Sequence, residues 1–250
     1  MKRSELEQLL NDYLKPDQFR DYCPNGLQIE GKEDIGKVVT GVSASIELFK
    51  HAIDKNADAI IVHHGIIWYK SPYIIKGSFK ERIKLLLQND INLFAYHLPL
   101  DAHPEIGNNA IIAKELGLKE VEPFGIFNDQ NIGIKGKIEP CSFEDFFEMI
   151  KAKINAKAIF FPFGSEVIKT IGIISGAAQK ELRTAVEEGL DLYLTGEVSE
   201  ETYHLAKEER IHFVAAGHTA TEEFGIKALT EFLKQNSSID AEFIKIENPI

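Results

Sequence analysis

The sequence predicts an α/β protein built as two similar halves, residues 1–125 and 126–250. Two observations carry this reading. Strand-like apolar runs alternate with helix-like amphipathic segments along the whole chain, as in a sheet covered by helices. The pattern then repeats. Lys37-Val-Val-Thr-Gly-Val-Ser43, a helix and Asp58-Ala-Ile-Ile-Val-His63-His64 match Lys169-Thr-Ile-Gly-Ile-Ile-Ser175, a helix and Asp191-Leu-Tyr-Leu-Thr-Gly196-Glu197. The next strand of each half ends in His-x-x-x-acid: His97 with Asp101, and His218 with Glu222. No low-complexity linker separates the halves, so they are expected to pack together around a shared site.

The elements follow in order. Ser4 with Glu7 forms a capping-box pattern for a first helix, whose Leu6, Leu9, Leu10, Tyr13 and Leu14 line one face until Pro16 ends it. A turn-rich loop, Asp21-Tyr-Cys-Pro-Asn-Gly26, leads to a strand over Ile35 to Val42 and a helix over Ala44 to Lys55. Asp58 to His63 is unbroken apolar chain, the mark of a strand covered on both faces. Ser78 and Glu81 cap a helix that turns Ile83, Leu86 and Leu87 inward, followed by a strand from Ile91 to His97. Pro99 excludes a regular helix, so Leu98 to Asp101 reads as a shaped loop. Asn108 to Leu116 is a helix stopped by Gly117.

After Glu120-Val-Glu-Pro-Phe-Gly125 the pattern restarts with a strand from Ile132 to Ile138. A helix (Ser142 to Ile154), strands at Ala158 and Lys169, a helix (Gln179 to Glu188) and a strand to Thr195 follow. The chain closes with a helix near Glu200, a strand to Ala216, a helix from Thr221 to Gln235 and a strand from Glu242 to Ile246.

Composition narrows the function classes. A net charge of −11 repels polyanions, which argues against a nucleic-acid or anionic-membrane binder. Cys23 and Cys141 stand far apart in no metal-type spacing and read as plain thiols of a reducing compartment. The N-terminal residues run straight into a helix with no signal-peptide apolar stretch, and no segment would span a bilayer, so a cytoplasmic protein is expected. Phosphate-binding glycine loops and Gly-x-Ser-x-Gly are absent.

Three strand ends carry metal-ligating residue types: His63-His64, His97 with Asp101, and His218 with Glu222. In open α/β sheets, sites are built where strands end, and this set is what a two-metal centre requires. Adjacent strand residues point to opposite faces, so His63 and His64 need the turn at Gly65 to address neighbouring ions. Asp101 either binds a metal or orients a ligand histidine; its plainer role is a turn residue. Glu222, one helical turn from His218, can bridge two ions, whereas Glu223 only favours a helix N-terminus. Glu197 reads equally as a general base or a solvated acid. His103 is a weaker candidate, His51, His204 and His212 are structural or exposed, and Trp68 with Tyr69 would wall the site.

Taken in this order, Asp21-Tyr-Cys-Pro-Asn-Gly-Leu-Gln28, Asp58 to Gly65, His97-Leu-Pro-Leu-Asp101-Ala-His103, Thr195-Gly-Glu197 and Gly217-His-Thr-Ala-Thr-Glu222 resemble the GTP cyclohydrolase 1 type 2 homologue, or Nif-three-like, family. The resemblance spans nearly the whole chain and implies the short form without an inserted domain. It further implies two divalent ions per subunit (zinc, iron or manganese) held by His63, His64, Asp101, His218 and Glu222, with His97 beside them and a ring-shaped hexamer. The implied activity is metal-dependent hydrolysis of a small molecule, a purine nucleotide: GTP opened to formate and 7,8-dihydroneopterin triphosphate, with Glu197 or His97 moving protons. The alternative is a non-catalytic metal-binding or carrier protein assembled as a ring.

Overall fold

The computed structural model describes residues 1–250. The chain opens with α1 (Arg3–Leu14), β1 (Gly26–Ile29), β2 (Lys37–Ser43), α2 (Ile46–Asp54), β3 (Ala59–His64), α3 (Gly77–Gln88), β4 (Asn92–Ala95), α4 (Leu98–Asp101) and α5 (Asn108–Leu116). It continues through β5 (Lys119–Phe127), β6 (Gln130–Ser142), α6 (Phe143–Lys153), β7 (Ile159–Pro162), β8 (Val167–Ile173), α7 (Leu182–Glu187) and β9 (Leu192–Thr195). It closes with α8 (Glu200–Glu209), β10 (His212–Ala215), α9 (His218–Asn236) and β11 (Asp240–Phe243).

Two compact units result. Unit 1 comprises Met1–Leu100 with Gly225–Glu247, and unit 2 comprises Asp101–Phe224 with Asn248–Ile250. The sheet of unit 1 has the order β1-β4-β3-β2-β11, and that of unit 2 the order β5-β6-β8-β9-β10-β7. Each contains three parallel strands, β2-β3-β4 or β8-β9-β10. In each, an antiparallel strand flanks the third of these, β1 beside β4 and β7 beside β10. Each flanking strand is also preceded by a helix, α1 or α6. The duplication read from the sequence is therefore present in the topology of the two α/β halves.

What differs is the addition to each core. Unit 2 adds the antiparallel hairpin β5–β6 beside β8. Unit 1 instead receives β11 in parallel register with β2, from Asp240↔Lys37 to Phe243↔Thr40. The Thr230 hydroxyl of α9 meets that of Thr40 at 2.6 Å, in the interior of the same unit. The repeat thus runs along the chain, while packing gathers residues from both of its ends into unit 1.

The core of unit 1 follows from strand composition. Ala59, Ile60, Ile61 and Val62 are all fully buried, as an unbroken apolar run demands. Ile60 and Val62 pack with Leu48, Phe49 and Ala52 of α2 and Leu86 of α3. Gly41 permits this approach, because a Cβ there would lie 2.7 Å from the Leu48 side chain. In unit 2, Ile171, Ile173, Leu192, Leu194 and Val214 pack with Phe146 and Ile150 of α6.

Both halves also use a carboxylate to hold two successive N–H groups at or near the start of their first parallel strand. The Asp58 carboxylate accepts from the backbone N–H groups of Gly36 and Lys37, both at 3.0 Å. Asp191 accepts from those of Lys169 and Thr170, both at 2.9 Å. Burial opposes the charge on Asp58, but the Lys32 ammonium and the two N–H donors outweigh it and hold the carboxyl below its ordinary value.

Several local expectations are corrected. The first helix begins at Arg3, and the carboxylate of Glu5 takes the Lys2 N–H at 2.7 Å in place of a Ser4–Glu7 box. A bridge from Lys2 to Asp34 holds that residue extended and sets the boundary. Helix α3 starts after Lys76 without a side-chain cap, and Leu87 is 58% exposed while Leu86 is buried. Pro99 does not exclude helix: it occupies the first turn of α4, where no N–H is required of it. Strand β5 falls on a segment to which the sequence reading assigned no element, and Asn128 and Asp129, at φ of 48° and 65°, form its hairpin turn with β6. Pro123 is tolerated because β5 is an edge strand.

Replacing Asp58 or Asp191 with Ala removes the acceptor of two strand-starting N–H groups, and each is expected to cost about 1–3 kcal/mol in urea unfolding. Asp58 has a depressed folded pKa, so its contribution is present above the ordinary carboxyl range and is lost as pH falls through the folded value. The stability difference between the native chain and Asp58→Ala should therefore shrink below about pH 4.

Candidate metal centre

In unit 1, β3 and β4 end side by side, which brings three imidazoles together. The ring centroids of His63 and His64 are 4.6 Å apart, and that of His97 lies 5.0 and 5.6 Å from them. One ligating atom from each lies within 4.8 Å of the other two. His63 and His97 are buried and His64 is half-buried.

Each ring is held at Nδ1. His63 Nδ1 lies 3.1 Å from the carbonyl of Tyr96, which can only accept, so Nδ1 carries the proton. His64 Nδ1 pairs with the Ser43 hydroxyl at 2.9 Å. His97 Nδ1 meets the Asp21 carboxylate at 2.9 and 3.1 Å. Engagement of Nδ1 by a neighbouring oxygen is the arrangement that surrounding groups impose on metal-binding histidines.

Asp21 is the most heavily built of these supports. Its carboxylate also accepts from the N–H groups of Cys23 at 3.0 Å and Leu98 at 2.9 Å, and from the Asn25 amide at 3.1 Å. The Asn25 carbonyl oxygen in turn takes the His97 N–H at 2.7 Å. Burial opposes the Asp21 charge, but His97 and these donors outweigh it and hold the carboxyl below its ordinary value.

The loop after His64 is clasped by Gln28, whose Oε1 accepts from Ile66 and Ile67 N–H at 2.9 and 3.1 Å. Gly65 has no Cβ because one would fall 2.3 Å from that oxygen. Trp68 is thereby set edge-on to His97 at 5.2 Å and against His64 at 5.9 Å. Tyr69, by contrast, is 84% exposed.

In unit 2, the first turn of α9 carries His218 and Glu222, with Nε2 and Oε2 3.1 Å apart. The Glu197 carboxylate, at the end of β9, accepts from His218 Nδ1 at 2.6 Å. Asp101 is 7% exposed and accepts from the Asn108 amide and the Ser175 hydroxyl, both at 2.9 Å. One oxygen of Asp101 and one of Glu222 lie within 4.8 Å of each other. Gly176, at φ of 69°, forms the cradle: a Cβ on it would lie 2.3 Å from Glu222 Oε1. Burial alone would lower the His218 pKa, but the bonds and charges of Glu222 and Glu197 raise it to about 9. The two carboxylates thus favour the protonated ring.

The donor chemistry fits a metal. Imidazole nitrogens and carboxylate oxygens suit zinc, iron(II) or manganese. These histidine and glutamate clusters can hold metal ions.

The full length of the chain also matches proteins of known family. Residues 1–249 match the family described as Duf34/NIF3 (NGG1p interacting factor 3). The chain belongs to the DUF34/NIF3 family. Relatives named "GTP cyclohydrolase 1 type 2 homolog" in Haemophilus influenzae and Escherichia coli K12 are 47% and 45% identical, each aligned over 100% of both chains. Among solved structures, the protein ybgI, described as of unknown function, superposes with a TM-score of 0.95 at 44% identity over 100% of both chains. A Thermus thermophilus protein does so with 0.91 at 32% identity, again over 100% of both. The match over full lengths agrees with the family's short form.

Within this DUF34/NIF3 chain, His103 accepts from the N–H groups of Glu105 and Ile106 at 3.2 Å, which serves its own turn. His212 bonds Gly164 and Ser165 and is structural; His51 and His204 are exposed. Sequence reading assigned no role to Asp21, Ser43, Asn108 or Ser175. The sharp turn signal Asp-Tyr-Cys-Pro-Asn-Gly marked only the place of Asp21.

Two outcomes are expected. Gly176→Ala should displace Glu222 and weaken zinc uptake at least tenfold, measured by competition with a chromogenic chelator, while circular dichroism stays native. Burial, with the charge of Asp21, pushes the Cys23 thiol up to about 12. DTNB should therefore modify at most Cys141 in the native protein and reach Cys23 only after denaturation.

Proposed function

We propose that this protein is a dinuclear metal-dependent hydrolase whose two divalent ions are held by His63, His64, Asp101, His218 and Glu222. The observation that carries the reading is the matched support of the histidines: His63, His64, His97 and His218 each have Nδ1 engaged by a neighbouring oxygen, the pattern that surrounding groups impose on metal-binding imidazoles. Glu222, with one oxygen against Gly176 and the other beside His218, is assigned the bridging position.

The ions, when bound, would acidify a water toward neutral pH and polarise the carbon under attack. The remaining work belongs to side chains. His97, held at Nδ1 by Asp21, is assigned proton transfer through Nε2. Glu197 holds His218 in its ligating orientation and shares in proton movement at the exposed margin. Trp68 and Tyr22 line the same cluster with aromatic faces suited to a planar base.

The names of the relatives support GTP as the substrate, opened at C8 of the purine with release of formate and formation of 7,8-dihydroneopterin triphosphate. A ring-shaped homohexamer is part of the reading, and light scattering tests it. No helix is long and apolar enough to cross a membrane.

Formate release from GTP by zinc-, iron(II)- or manganese-loaded protein is the deciding measurement. Turnover is expected, with loss of at least a hundredfold in Glu222→Ala and in chelated protein. Two bound ions per chain with no formate would remove GTP and favour a metal carrier.

A further inference from the structure

We propose that His97 is itself a metal ligand, and that His63, His64 and His97 form a three-imidazole site by which unit 1 alone takes up one divalent transition-metal ion. This rests on the metal-binding reading above; His97 would move protons only while its Nε2 is off the ion.

The duplication supplies the first argument. His97 follows β4 as His218 follows β10, and each has an acid four residues on. Both rings also bind a carboxylate at Nδ1, Asp21 at 2.9 Å and Glu197 at 2.6 Å. A ligand role for His218 therefore has a structural counterpart in His97.

Packing supplies the second. His97 is 5% exposed, and Tyr22 and Trp68 meet it edge-on at 5.1 and 5.2 Å. With Nδ1 fixed and its flanks covered, the ring offers Nε2 in one direction, where ligating atoms of His63 and His64 lie within 4.8 Å. Burying the Asp21 carboxylate is costly unless it is fully hydrogen-bonded, and five donor contacts meet that cost at this one ring.

Ligand chemistry sets the class of ion. Three neutral imidazoles select zinc, cobalt(II) or iron(II) over magnesium or calcium, which require oxygen donors.

The test uses full-length, metal-stripped protein and cobalt(II). In Asp101→Asn/His218→Gln/Glu222→Gln, which lacks the donors of unit 2, one cobalt per chain should remain, with visible ligand-field bands of nitrogen coordination. Adding His97→Gln should weaken that binding at least tenfold and alter the bands. Asp21→Asn should weaken it about 10–100-fold. His97→Cys in the same background should show a thiolate-to-cobalt charge-transfer band, which places position 97 on the ion independently of any loss of affinity. No cobalt in the triple variant, or an unchanged spectrum on altering His97, overturns the proposal. If the native chain still binds two ions, the dinuclear reading survives that result; if it binds none, both fall.

Discussion

A neutral imidazole can bind a metal through only one nitrogen, and whatever hydrogen-bonds the other nitrogen decides which. This constraint organises both units. The Tyr96 carbonyl, the Ser43 hydroxyl, the Asp21 carboxylate and the Glu197 carboxylate are four different solutions to one problem, each supplied by the nearest available element. The fold reflects that requirement. Parallel strands finish together, so a backbone carbonyl after β4 reaches a histidine on β3, and a serine on β2 reaches its neighbour. The loop before β1 closes the set by delivering Asp21, because β1 runs antiparallel beside β4 and its start lies at β4's end.

The two units reach comparable ends by different means. Unit 1 gathers three imidazoles and holds one of them with a buried acid, the others with a carbonyl and a hydroxyl. Unit 2 gathers acids around one imidazole. Its carboxylates are tamed by neutral donors, Asn108 and Ser175 on Asp101, and by the glycine cradle under Glu222.

The α/β class, the duplication and the ligating residue types were legible because they rest on local chemistry. Apolar runs specify buried strands, and repeated Asp58 and Asp191 mark equivalent strand starts. The supports were not legible. Asp21 reads as a turn residue until β1 pairs with β4, and Ser43 reads as a strand end until His64 is opposite it in register. Strand β5 escapes a sequence reading because Pro123 argues against a strand, and only its edge position removes the objection. The Leu98 to Asp101 turn departs from expectation for a related reason. Proline's cost depends on whether its position needs an N–H, which composition does not say.

Strand β11 has a consequence for synthesis of the protein. Until residues 240–243 leave the ribosome, β2 has an open edge, with unpaired N–H and C=O groups along Lys37 to Thr40. Nearly all of unit 2, encoded later, is contiguous in sequence and can close its sheet first. The earlier-made half is thus the later-finished one. The nascent chain carries an unfinished parallel sheet through most of translation, and this is the interval in which chaperone protection of the β2 edge would matter most.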